Sequence, residues 1–207
     1  MSALLPQSTG AETTKPVNLS EKTTQKTAGT EKQTSKAAKP LPNFHQVHPY
    51  LYRGGEPTEE GLRELQKMGI KTIIDLRAPS ERKMDEPQIA KQLGMKYINL
   101  PMDWHAPTKK QVKTFLEAVD RAKAEHEKIT TDNSEKKTPA VFLHCAHGSD
   151  RTGCLIGIWR VARENWPYDD TYKEMRKYYF GPKYTQLSDA VRNAGAFSPT
   201  RDETKAD

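Results

Sequence analysis

At 207 residues, 34% of them hydrophobic and 29% charged, the chain has room for one domain with extensions but too few apolar residues to be folded throughout. Its formal charge of +6 favours anionic partners, yet no basic run is interleaved with aromatics as a nucleic-acid surface requires. No stretch approaches the roughly 20 apolar residues of a membrane span, the N-terminal MSALLPQSTG has no signal-peptide pattern, and two cysteines are too few for a disulfide scaffold, so a reducing, cytoplasmic setting is expected.

Residues 1–40 hold twelve Ser/Thr, six Lys, three Glu and no aromatic residue. Such a segment cannot offset its ordering entropy and is expected to be a disordered tail, as is 198–207. One domain is expected over 41–197. It opens with short strands between Phe44 and Tyr52, broken at Pro49, and a turn at Arg53-Gly54-Gly55. Pro57 and Thr58 start a helix that carries Leu62, Leu65 and Met68 on one face and stops at Gly69. Lys71 to Arg77 reads as a buried, β-branched strand, and 96–100 as a second. Between them a short helix runs from Asp85 to Leu93.

Thr108 and Gln111 have capping-box spacing. Val112, Phe115, Leu116 and Val119 then recur at helical intervals, which predicts an amphipathic helix to Lys128. A polar loop follows over 130–138, and then a strand from Ala140 to His144. A helix from Arg151 to Asn165 is apolar on several faces and belongs at the centre of the fold. Helices over 169–179 and 184–193 close the domain. Strands alternating with helices predict an α/β sandwich around a largely parallel sheet of about five strands.

The chemistry concentrates in Val141-Phe-Leu-His-Cys-Ala-His-Gly-Ser-Asp-Arg-Thr-Gly153, a strand, a tight loop and a helix start. Five residues separate Cys145 from Arg151. A loop of that length can wrap a tetrahedral oxyanion with its amides inward: Ala146, His147, Gly148, Ser149, Asp150 and Arg151 are the candidate phosphate binders. The helix that follows points its positive end at the same spot. Gly148 permits the curl, and Arg151 can fork onto two phosphoryl oxygens. Such a field favours Cys145 as a thiolate nucleophile. Thr152 is expected to donate a hydrogen bond to its sulfur, and His144 to fix the loop through its ring nitrogens.

His144-Cys145-x5-Arg151-Thr152-Gly153 resembles the signature of protein tyrosine phosphatases, above all the compact, bacterial-like dual-specificity branch. Leu51-Tyr-Arg-Gly-Gly-Glu-Pro57 and Ile74-Asp-Leu-Arg77 resemble two further strands of that family, and the likeness spans about residues 43–195. It implies a hydrolase without metal or other cofactor that works through a phosphocysteine intermediate on a phosphorylated protein, and a monomer is expected. It also implies a general acid on the loop after the second buried strand, which makes Asp103 the candidate. Asp150, beside the arginine as in some myotubularin-like phosphatases, is the alternative, and His105 a third.

Phosphoinositide hydrolysis and non-catalytic phospho-residue binding are the competing functions. The loop interior has no lysine, against the first, and a pure binder needs no nucleophile. Arg53 and Arg77 either face substrate or make structural ion pairs. Trp104 either lines the pocket mouth or packs against the loop. Cys154 reads as core, as do Tyr172, Met175 and Tyr179; Lys109, Lys110 and Lys113 read as a solvated stripe.

Overall fold

The computed structural model describes residues 39–132 and 139–198. The expected tails, apart from Lys39, Pro40 and Ser198, and most of the expected polar loop lie outside the described residues. Five strands, β1 (His45–His48), β2 (Leu51–Gly54), β3 (Ile70–Asp75), β4 (Lys96–Asn99) and β5 (Ala140–His144), form one sheet in the order β1-β2-β5-β3-β4. β1 and β2 pair antiparallel; the other neighbours are parallel.

The central strand β5 is buried on both faces, and its period-2 alternation sorts the core. Ala140 and Phe142 face a smaller cluster that contains Leu62 and Leu65 of α1 (Glu59–Met68) and Ala90 of α2 (Glu86–Gln92). Val141 and Leu143 face the larger cluster. That cluster is built from α3 (Lys109–Thr131), α4 (Asp150–Glu164), α5 (Tyr168–Lys177) and α6 (Thr185–Arg192). This is the α/β sandwich expected of the pattern.

Local chemistry sets the helix ends. The Thr58 hydroxyl accepts the Gly61 amide proton at the start of α1, and Gly69, at φ +97°, ends it in the left-handed conformation. Thr108 and Gln111 make the reciprocal capping box of α3. α4 starts one residue before the expected position.

Two elements differ from expectation. Arg53 and Gly54 lie in β2 rather than in a turn, because the strand keeps its parallel register with β5 through the pair Gly54 and His144. A Cβ on Gly54 would come 2.9 Å from the Phe142 ring, so glycine permits that close pairing. α3 runs on to Thr131, where Thr130 and Thr131 bond back to the His126 and Glu127 carbonyls. The sequence also gave no sign of the 3-10 turns at Pro79–Glu81 and Ala194–Phe197.

Candidate active site

The parallel strands β2, β5 and β3 end at one level, with Gly54, His144 and Asp75 in register. The loop 145–149 leaves that edge and enters α4. Gly148 turns it at φ +73°, and a Cβ there would lie 2.4 Å from the Gly54 carbonyl carbon, so the position demands glycine. The Gly148 N–H points inward to the buried Cys145 Sγ at 3.2 Å. Three consecutive carbonyls point outward, each to a donor from residues 43–56. Ala146 O accepts the Glu56 N–H at 3.1 Å, His147 O the Asn43 Nδ2 at 3.2 Å, and Gly148 O the Arg53 Nη2 at 2.8 Å. Outward carbonyls leave the inner rim to amide protons, which suits an anion.

Arg151 lies within electrostatic reach of the Cys145 sulfur. Its Nη1 donates to Met102 O at 3.1 Å, and its two terminal nitrogens grip the Glu81 carboxylate at 2.8 Å each. Burial works against its charge, but Glu81 and the Cys145 sulfur outweigh burial and raise its pKa. Glu81 is held below the usual carboxylate range chiefly by the Arg151 hydrogen bonds.

Contrary to expectation, Thr152 does not donate to the cysteine: its Oγ1 is buried and has no hydrogen-bond partner among the described residues. It sits inside the first turns of α4, and the sulfur takes the Gly148 amide proton instead.

Beneath the loop lies a buried charge cluster of Asp75, Arg77, Glu86 and His144. His144 Nδ1 faces the Cys145 carbonyl at 3.3 Å, and Nε2 lies 2.9 Å from Glu86 Oε1, off the line of the N–H, so the second contact is electrostatic. Arg77 settles as a structural ion pair. It is fully buried, forks onto Asp75 at 2.9 and 3.0 Å, and contacts Glu86 and Glu56. Burial alone would raise Asp75, but Arg77, His144 and the Tyr97 hydroxyl together lower it. Asp75, Glu86 and His144 come close enough to hold a metal ion. Arg77 already lies on both carboxylates, and its charge opposes a cation there.

In front of Arg151 opens a cavity of about 420 Å³, lined by Met102, Asp103, Trp104, His147, Asp150, Tyr184 and their neighbours. Trp104 is 56% exposed and lies against the His105 ring, so it lines the mouth. The exposed Asp103 accepts the His105 backbone N–H at 2.8 Å and faces the His105 Nδ1 at 2.9 Å, and these bonds lower its pKa. Asp150 has one oxygen committed to the Gly181 N–H at 2.7 Å. Cys154 points away, to the Leu187 carbonyl, and Met175 is core. Tyr179 is not: it is 76% exposed, with φ at +69° where α5 ends.

A strand that leads into a cysteine at the start of an anion-shaped loop, followed by a helix bearing arginine, is the construction of the compact cysteine-based tyrosine phosphatases. A family model described as a DSP-PTPase phosphatase fused to NAD+ kinase matches residues 32–193, and the chain belongs to that family. It is 26% identical over 163 residues to the dual specificity protein phosphatase TpbA of Pseudomonas aeruginosa, covering 79% of this chain and 64% of that protein. The chain thus spans under two thirds of this relative. It is also 26% identical over 149 residues to the inositol diphosphatase SIW14 of Saccharomyces cerevisiae, covering 72% of this chain and 49% of that one. The crystal structure of TpbA in complex with phosphotyrosine has the same fold, with a TM-score of 0.61 at 20% identity over 83% of this chain and 96% of that one.

Proposed function

We propose that the chain hydrolyses phosphomonoesters, removing phosphate from phosphotyrosine, and from phosphoserine or phosphothreonine, in proteins. The observation that carries this choice of substrate is the lining of the cavity. It presents one guanidinium, Arg151, against three carboxylates, Glu81, Asp103 and Asp150, with walls of Met102, Trp104, Tyr184 and Leu187. A single phosphoryl group on an apolar or aromatic body suits such a wall. A multiply phosphorylated inositol, the substrate class named for SIW14, would meet like charge there.

In this scheme the Cys145 thiolate attacks phosphorus in line and the ester bond breaks. Arg151 and the loop amides hold the equatorial oxygens as charge spreads over them. Asp103 gives its proton to the departing oxygen. Asp103, now ionised, then takes a proton from water as that water cleaves the S–P bond, which releases phosphate and restores the thiolate.

The test is turnover of an aryl phosphate, a phosphotyrosine peptide and inositol phosphates by the wild type and by Cys145→Ser. Hydrolysis of the first two, lost in Cys145→Ser, is the expected result. Turnover that survives the substitution would remove the nucleophile, and preference for inositol phosphates would replace the substrate class.

A further inference from the structure

Arg53 is 1% exposed, and among the described residues no carboxylate lies within ion-pair distance of it. Its Nε and Nη1 have no hydrogen-bond partner among those residues either. The nearby Glu174 is already forked by Arg160 at 3.0 and 2.7 Å. Burial pulls the Arg53 guanidinium down to about 10. A buried cation this poorly satisfied is costly, and an apolar residue of similar size would fit β2 at least as well. Two contacts remain: the Gly148 carbonyl at 2.8 Å, and the Tyr178 ring, 4.4 Å from the guanidinium carbon.

We infer that Arg53 is a positioning residue of the phosphate loop: it holds the Gly148 carbonyl outward and so keeps the Gly148 N–H on Cys145 Sγ. The inference rests on the phosphatase reading above. Gly148 is clamped from both ends, its N–H by the sulfur at 3.2 Å and its C=O by Arg53. The Glu56 backbone N–H and the Asn43 side-chain amide hold the two preceding carbonyls, but both are neutral donors. A charged donor to a carbonyl forms the stronger bond. Arg53 acts on substrate only through the loop, so its loss should touch the transition state more than ground-state binding.

The experiment compares wild type, Arg53→Met and Arg53→Lys on an aryl phosphate, with melting curves and calorimetric binding of tungstate. Arg53→Met is expected to melt at or above the wild-type temperature, since it removes an unpaired buried charge. Its kcat should fall about 10–100-fold, the scale of losing an outer-shell support, with KM nearly constant. Arg53→Lys, which keeps a donor, should recover part of that loss. Tungstate should bind Arg53→Met about tenfold more weakly. A kcat within about twofold of wild type in a folded Arg53→Met overturns the inference and leaves the phosphatase reading standing. If the wild type itself fails to turn over, the phosphatase reading falls, and tungstate binding still decides the role of Arg53: equal affinities overturn it. If Arg53→Met does not fold, Tyr178→Leu, which removes the ring from a half-buried position, replaces it. There a kcat drop of about threefold or more at constant KM supports the inference, and an unchanged kcat overturns it.

Discussion

Glu81 and Arg151 meet fork to fork, with both carboxylate oxygens 2.8 Å from the two terminal guanidinium nitrogens, although 70 residues separate them in the chain. This bidentate geometry fixes the plane of the guanidinium. Removing Glu81 frees a long side chain that, in the proposed mechanism, must be held still to receive a phosphoryl group. Glu81→Ala is expected to lower kcat/KM on an aryl phosphate by about tenfold or more, or about 1.4 kcal/mol of transition-state stabilisation. Steady-state kinetics decide it. A rise in kcat/KM would mean that the carboxylate competes with substrate instead.

Asp103 and Asp150 are separable by leaving group. Asp103→Ala should slow phosphotyrosine more than an aryl phosphate with a good leaving group, which needs less protonation. Asp150→Asn should affect both alike, because Asp150 holds the Gly181 N–H at 2.7 Å. Equal losses for Asp103→Ala on both substrates would reassign the acid.

The His105 contacts lower the Asp103 carboxyl, so this acid loses its proton at lower pH than a free aspartate. Deleting the ring relieves part of that shift. In His105→Ala, the basic limb of the kcat/KM profile should move to higher pH. A limb that stays in place would separate His105 from the acid.

Asp75 is fully buried, and Arg77 outweighs the burial cost, so its folded pKa lies below the ordinary 3.8. A depressed carboxyl contributes stability that is complete above its unfolded pKa and is lost as pH falls through the folded value. Chemical denaturation from pH 5 downward should therefore show stability declining below about pH 4. Asp75→Asn breaks the fork onto Arg77, which keeps Glu86 and Glu56, and is expected to cost about 1–3 kcal/mol at neutral pH, with a shallower acid decline than wild type.

Much of this arrangement was legible in the chain because it is local. A β-branched run gave β3, a short apolar run gave β5, the Thr108 box gave the start of α3, and one strand-loop-helix segment carried Cys145 and Arg151 together. The supports were hidden because their partners lie far apart. Glu81 joins Arg151 across 70 residues, Arg53 reaches Gly148 across 95, and Asp75 meets Tyr97 across 22. A charged residue such as Glu86 reads as surface in a sequence, since only a buried counter-charge makes its burial tolerable, and the sequence does not say which carboxylates Arg77 meets. The Thr152 expectation failed for a related reason: spacing brings a hydroxyl near a sulfur but does not orient it.

The second thiol gives the molecule an internal reference. Cys154 has no solvent exposure, burial holds its proton on, and its sulfur bonds to the Leu187 carbonyl of α6. Whatever an electrophile does at position 145, position 154 adds nothing until α4 and α6 come apart. The second equivalent of label taken up therefore clocks the opening of the core, and the first can be counted without its interference.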